Sequence, residues 1–312
     1  MKYHYDVDLL EAIPSFGVFD LTNPPATREK LIAARKGRPV PDASGVEVTD
    51  HKIPGPMDNP NVPVRVYRPA GVNGDLPVVL NIHGGGFVIG RIEVDDAKCL
   101  DIARKVSAVV VSVGYRLAPD HPYPAALEDC YATLQWIGDA GTDLGADTTR
   151  IAVLGMSAGG GLAAALTILT RDRGGQTIAF QYLDLPELDD RLTGLSMLRF
   201  TDTPGWNTPN AARSWRYYLG DLANTDNVPV YAAPARATDL SGLPPAYIAA
   251  LEYDPLRSEA VAYAESLFAA NVPVELHVFS GAYHLAYLIP TSKVEQRRAE
   301  ERIIVLRRAL CC

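Results

Sequence analysis

The sequence predicts an α/β fold, a mostly parallel central sheet with helices on both faces. Three observations carry this. Short apolar or β-branched runs alternate with longer Ala/Leu-rich stretches, the pattern of parallel strands joined by helices. Of the 312 residues, 47% are hydrophobic, enough for a sizeable core. Two glycine motifs, His83-Gly84-Gly85-Gly86 and Gly155-Met156-Ser157-Ala158-Gly159, each follow a strand candidate. Open α/β sheets place their chemistry at such strand ends.

The first of these strands is Pro77–Ile82. Three consecutive glycines after it carry an entropic cost. A flexible linker would be polar, yet Phe87-Val88-Ile89 follows at once. No Gly-Lys-Ser/Thr follows either, which argues against a phosphate loop. The run reads as a loop whose free amides face a developing negative oxygen. Gly85 and Gly86 are the expected donors, with the Ala158 N–H as a third.

The second strand is Arg150–Leu154. Helix-like sequence runs from Ala158 to Thr170 and is stopped by Gly174-Gly175. Gly155 and Gly159 give room where strand and helix nearly collide. This strand-turn-helix arrangement is the nucleophile elbow of the α/β-hydrolase fold, with Ser157 exposed at its tip. An overlapping motif competes: Gly159 to Ala164 fits the dinucleotide pattern G-x-G-x-x-A, with Asp184 near the expected spacing. In a dinucleotide fold, however, the first glycine directly follows the strand. Gly159 already lies in the first helical turn, so these small residues read as close helix–sheet packing.

A serine nucleophile needs a base and an orienting acid, which in this fold follow it in the order Ser, Asp/Glu, His. Of six histidines, only His277 and His284 come late enough. His277 falls inside the strand candidate Pro273–Phe279, as a partly exposed strand residue. His284 lies on the loop after it and is the expected base. A further strand, Ala246–Leu251, ends at Glu252-Tyr253-Asp254-Pro255. Asp254 is the expected acid. Glu252 is the weaker alternative, and Asp before Pro also caps turns.

With these residues in place the chain resembles the hormone-sensitive-lipase-like branch of the α/β-hydrolases, the bacterial carboxylesterases. The resemblance rests on His83–Phe87, Tyr115–Pro119 with His121–Ala126, Gly155–Gly160, Asp254–Arg257 and His284. Leu185–Arg191 and Ser214–Gly220 look similar to heroin-esterase-type members. Met156, Ser258 and Leu285 stand where the family often has Asp, Asp and Gly. None of them removes a member of the expected triad, but all three lie near the site.

The resemblance implies a serine carboxylesterase acting on short-chain or aryl esters through an acyl-enzyme. It also implies a helical cap. Residues 1–45 and 186–240 do not fit the sheet; they hold many prolines and, in the second, Trp206, Trp215, Tyr217 and Tyr218. These two segments are the expected cap, and 46–185 with 241–312 the expected catalytic core. Phe87, Met156, Trp206 and Leu285 are the expected substrate contacts. Some relatives in this branch are small-molecule receptors that lost the histidine; His284 argues against that role here.

The resemblance implies a small-molecule ester as the partner, and composition excludes other classes without identifying a substrate. A net charge of −8 and a pI near 5.3 disfavour nucleic acid and anionic membranes. The N-terminus lacks the apolar stretch of a secretory signal, and no apolar run reaches 18 residues. The cysteines at 99, 130, 311 and 312 show no metal spacing and suit a reducing, cytoplasmic compartment. No cofactor and no metal are expected, and a homodimer stays open.

Overall fold

The structure is a computed structural model that describes residues 2–13, 20–37, 39–56 and 59–311. The chain begins with helices α1 (Val7–Leu10) and α2 (Pro24–Arg35) and strands β1 (Val46–Ile53), β2 (Val62–Pro69) and β3 (Leu76–Ile82). Helix α3 (Asp96–Ile102), β4 (Val109–Val113), α4 (Ala125–Leu144), β5 (Ala146–Met156), α5 (Ala158–Arg173) and β6 (Phe180–Asp184) follow. The remainder comprises α6 (Leu195–Arg199), α7 (Thr208–Leu219), β7 (Ala246–Leu251), α8 (Arg257–Ala269), β8 (Val274–Phe279) and α9 (Lys293–Leu310).

The eight strands form one sheet in the order β1-β2-β4-β3-β5-β6-β7-β8. From β4 to β8 all neighbours run parallel, while β1 and β2 are antiparallel. Strands β3, β4, β6 and β7 are buried at every residue. That is the signature of strands covered on both faces. Val78, Leu80 and Ile82 join the core beneath α4, α5 and α8, whereas Val79 joins the core beneath α3 and α9. The period-two alternation of one strand thus feeds two separate cores.

Among the described residues, no strand lies in 1–45 or 186–240; these stretches carry α1, α2, α6 and α7. Helix α7 is capped by Asn207, whose side chain accepts from the Asn210 N–H, and has Pro209 in its first turn. Its buried residues, Asn210, Ala211, Ser214, Trp215 and Tyr218, repeat at helical spacing and make one inward face. Trp215 and Tyr218 on that face pack on Phe87, with the Tyr218 ring centroid 3.9 Å away. Helix α2 is tied to the same loop: Arg28 Nε donates to the Val88 carbonyl at 2.7 Å.

Candidate active site

Strand β5 runs along the sheet centre and ends at Met156; α5 begins at Ala158. Ser157 alone makes the turn, with φ 56° and ψ −121°. This is an outlier conformation for a residue with a Cβ, and such strain clusters at functional sites. The surroundings hold it in place. Its N–H donates to the Asp184 carbonyl at 2.8 Å, and its carbonyl accepts from Gly161 and Glu187, both at 3.0 Å. The flanking glycines are required by contact. A Cβ on Gly155 would lie 2.0 Å from the Gly159 carbonyl oxygen, and one on Gly159 would lie 2.2 Å from that of Ile82. A Cβ on Gly161 would lie 2.0 Å from the Glu187 carbonyl oxygen, and one on Gly160, less tightly placed, 2.9 Å from Pro186 Cα. The overlapping dinucleotide-like run is therefore helix-sheet packing, and Asp184 is ion-paired to Arg298.

The late loop folds back over this turn. His284 Nε2 lies 3.0 Å from Ser157 Oγ, and His284 Nδ1 lies 2.6 Å from Asp254 Oδ2. The other Asp254 oxygen accepts the Leu256 N–H at 2.9 Å, which fixes the carboxylate in its turn. All three side chains are buried, at 4, 1 and 3% exposure for Ser157, Asp254 and His284. The alternatives lie elsewhere. Glu252 accepts from Ser280 Oγ and the Gly281 N–H. His277 sits on β8 with Nδ1 2.8 Å from Glu301.

The Gly84–Gly86 loop stands beside the serine. Gly85 has φ 123° and Gly86 φ 54°. A Cβ on Gly85 would meet the Ile89 carbonyl oxygen at 2.0 Å, and one on Gly86 the Trp206 ring at 2.5 Å. Among the described residues, the N–H groups of Gly85, Gly86 and Ala158 have no hydrogen-bond acceptor. His83 anchors the loop's start. Its Nδ1 lies 2.8 Å from the Gly84 carbonyl oxygen and its ring stacks on Tyr115. Burial holds the His83 imidazole below its usual range, hence neutral.

The four expected substrate contacts are placed differently from one another. Trp206 stacks on the His284 ring, with centroids 5.5 Å apart. Leu285 is 4% exposed and packs on Gly205, where an added Cβ would lie 1.9 Å from its Cδ1. It therefore supports the turn that carries Trp206. Phe87 is 1% exposed and packed between α7 and α5. The Met156 side chain reaches under Gly84 and borders a separate cavity between α3 and α9. Ser258 exchanges hydrogen bonds with Ser196, at 3.0 and 2.8 Å, joining α8 to α6.

One pair escaped the sequence reading. Glu187 is fully buried and lies 2.9 Å from Ser214 Oγ, which lies 3.1 Å from the Gly86 carbonyl oxygen. Both residues fall in the segments that looked like heroin-esterase-type members. An acidic residue inside Leu185-Pro-Glu-Leu188 was the available signal.

Comparison with known proteins agrees with this architecture. A family described as having the alpha/beta hydrolase fold matches residues 79–288. The chain is 44% identical over 236 residues to "Esterase LipI" of Mycobacterium tuberculosis (strain ATCC 25618 / H37Rv), covering 74% of this chain and 72% of the relative. It is 40% identical over 256 residues to "Carboxylesterase NlhH" of the same strain, covering 80% and 79%. The solved structure "Bacterial Heroin Esterase" superposes with a TM-score of 0.94 at 43% identity, covering 98% of each chain. The chain belongs to the α/β-hydrolase family, in its hormone-sensitive-lipase-like branch.

Proposed function

We propose that this chain is a serine carboxylesterase in which Ser157 is the nucleophile, His284 the general base and Asp254 its orienting acid. The observation that carries the reading is the hydrogen-bonded row Asp254–His284–Ser157 at the strand ends. His284 Nε2 accepts the Ser157 proton as Oγ attacks the ester carbonyl. Asp254 accepts from Nδ1–H, holds that tautomer and stabilises the imidazolium. The negative oxygen of the tetrahedral intermediate is held by the amides of Gly85, Gly86 and Ala158, which have no competing acceptor among the described residues. Breakdown expels the alcohol, which takes its proton from His284. Water then repeats the sequence on the acyl-enzyme.

The segments 1–45 and 186–240 act as a cap over this site. Trp206, stacked on His284 and closing on Gly86, forms an apolar wall suited to small acyl or aryl groups. Leu285 sets the position of that wall. The named esterase relatives support the same substrate class. Cys99 and Cys130 are buried free thiols, which fits a reducing cytoplasmic location. Among the described residues no helix is long and apolar enough to cross a membrane.

Fluorophosphonate labelling of wild type and Ser157→Ala tests the assignment. Labelling at Ser157, with kcat on a phenyl acetate substrate at least ~10⁴-fold lower in the mutant, is the expected result. Retention of several per cent of activity by pure mutant refutes it.

A further inference from the structure

Ser214 Oγ lies within hydrogen-bond distance of two oxygens, Glu187 Oε1 at 2.9 Å and the Gly86 carbonyl at 3.1 Å. A hydroxyl has one proton, so it donates to only one of them. If Glu187 is ionised, both neighbours are pure acceptors and one contact is left without a hydrogen. If Glu187 carries a proton, the conflict disappears. The carboxylic acid donates to Ser214 Oγ, and Ser214 donates to Gly86. The burial of the other carboxyl oxygen points the same way. Among the described residues, Glu187 Oε2 is buried without a hydrogen-bond partner. That is costly for a carboxylate and far less so for an acid carbonyl.

We propose that Glu187 is a positioning residue of the oxyanion loop, acting as a carboxylic acid whose proton sets Ser214 to donate to the Gly86 carbonyl. This rests on the oxyanion role proposed for Gly86. The chain of donors runs from the segment after β6, through the inward face of α7, to the loop after β3. It therefore couples the elements that carry the expected cap to the loop that meets substrate charge. Gly86 has φ 54° and lies in a turn, and among the described residues no backbone N–H donates to its carbonyl. The Ser214 contact supplies the restraint. Ionisation of Glu187 turns the Ser214 proton toward the carboxylate and releases the Gly86 carbonyl.

The groups facing Glu187 are few. Asp254 follows β7, Glu259 lies on α8 and Tyr115 follows β4. Ser214 on α7 is its side-chain hydrogen-bond partner. No cation among the described residues pairs with it. Burial pushes the carboxyl up to about 8; the Ser214 hydrogen bond opposes this and the Asp254 charge adds to it. Glu259 is also pushed well up by burial, although its Oε1 accepts the Leu188 N–H at 2.6 Å. Its link is to the chain beside Glu187, with no contact to the loop.

The test is kcat and KM on phenyl acetate from pH 6 to 10 for wild type, Glu187→Gln and Ser214→Ala, with melting temperatures as a fold check. Wild type should lose kcat as pH rises through about 8, with KM little changed. Glu187→Gln keeps an N–H donor toward Ser214 and cannot ionise. Its kcat at pH 7 should stay within about threefold of wild type, without the alkaline loss. Ser214→Ala should lower kcat about tenfold at pH 7, leave KM near wild type and also lack the alkaline loss. If Glu187→Gln does not fold, Ser214→Ala carries the test alone. An alkaline loss that persists in the folded variants overturns the role of Glu187 while leaving the esterase reading intact. Absence of Ser157-dependent activity in wild type overturns the esterase reading, and the inference falls with it.

Discussion

His284 and His277 are one strand-end apart in sequence, yet their ring nitrogens meet different partners. Those of His284 meet Asp254 and Ser157, at 2.6 and 3.0 Å. Those of His277 meet Glu301 and Arg297 on α9. Only the first pair of contacts can take a proton from a hydroxyl and stabilise the resulting cation. His284→Ala should lose roughly 10⁴-fold in kcat. His277→Ala should keep kcat within a few-fold and lose thermal stability instead. Parallel activity assays and melts on the two mutants check this, and the reverse ranking would refute the assignment. These residues were legible because chain order and strand-end position restrict the candidates. Glu187 and Ser214 were not, because the conflict over one proton exists only once α7 packs on the loop. The direction of Leu285 was equally hidden: sequence names its neighbour His284, but only packing shows that it faces Gly205.

The strand-turn-helix unit of β5 and α5 was readable as an element because both its strand core and its glycine stops are local signals. Its edges were less so. Strand β5 begins at Ala146, ahead of the apolar run, because Ala146 pairs with Leu76 of β3 before a register shift that resumes pairing at Ile151. Strand β1 gave no alternation to read, since only its first and last residues are buried. The glycines differ in what they do, and this yields a prediction. A Cβ at position 159 would strike the backbone at Ile82, the last residue of β3, and at His83 after it, just where the Gly84–Gly86 loop begins. Backbone cannot swing aside as a long side chain can. Gly159→Ala should therefore cost about 1–3 kcal/mol and shift the loop, lowering kcat. Gly174 ends α5 with φ 63° and open space around it. Gly174→Ala should cost about 1–2 kcal/mol through backbone strain alone and leave kcat unchanged. Equal kcat in the two mutants would disconnect the elbow from the oxyanion loop.

At the scale of the whole molecule the sheet brings together strand ends far apart in sequence, and with them several buried carboxyls. Asp184 neutralises its burial through Arg298, at 2.5 Å, and Asp95 through Lys98, at 2.9 Å. Glu187 has no such cation among the described residues. Its cost is met by keeping a proton, and this gives the fold a pH dependence of definite sign. In the unfolded chain the group titrates near the ordinary glutamate value of about 4.3. In the folded chain burial raises it to about 8. Between these values the native state holds a proton that the unfolded state has released. The contribution of Glu187 is then most favourable below the lower value and declines as pH rises toward the upper one. Each unit of difference is worth about 1.4 kcal/mol, so the full decline is on the order of a few kcal/mol. Glu187→Gln removes this dependence because its amide does not titrate. The melting temperature of Glu187→Gln relative to wild type should therefore rise from pH 5 to pH 8. For a chain of this size the rise amounts to several degrees, at roughly 2 °C per kcal/mol. Differential scanning calorimetry of both proteins at the two pH values measures it. A constant difference would mean that Glu187 is ionised in the native state at pH 5 as it is unfolded, and that an unseen partner satisfies it. Glu259, which burial also pushes well up, should show a rise of the same sign in Glu259→Gln, so each variant is compared with wild type separately.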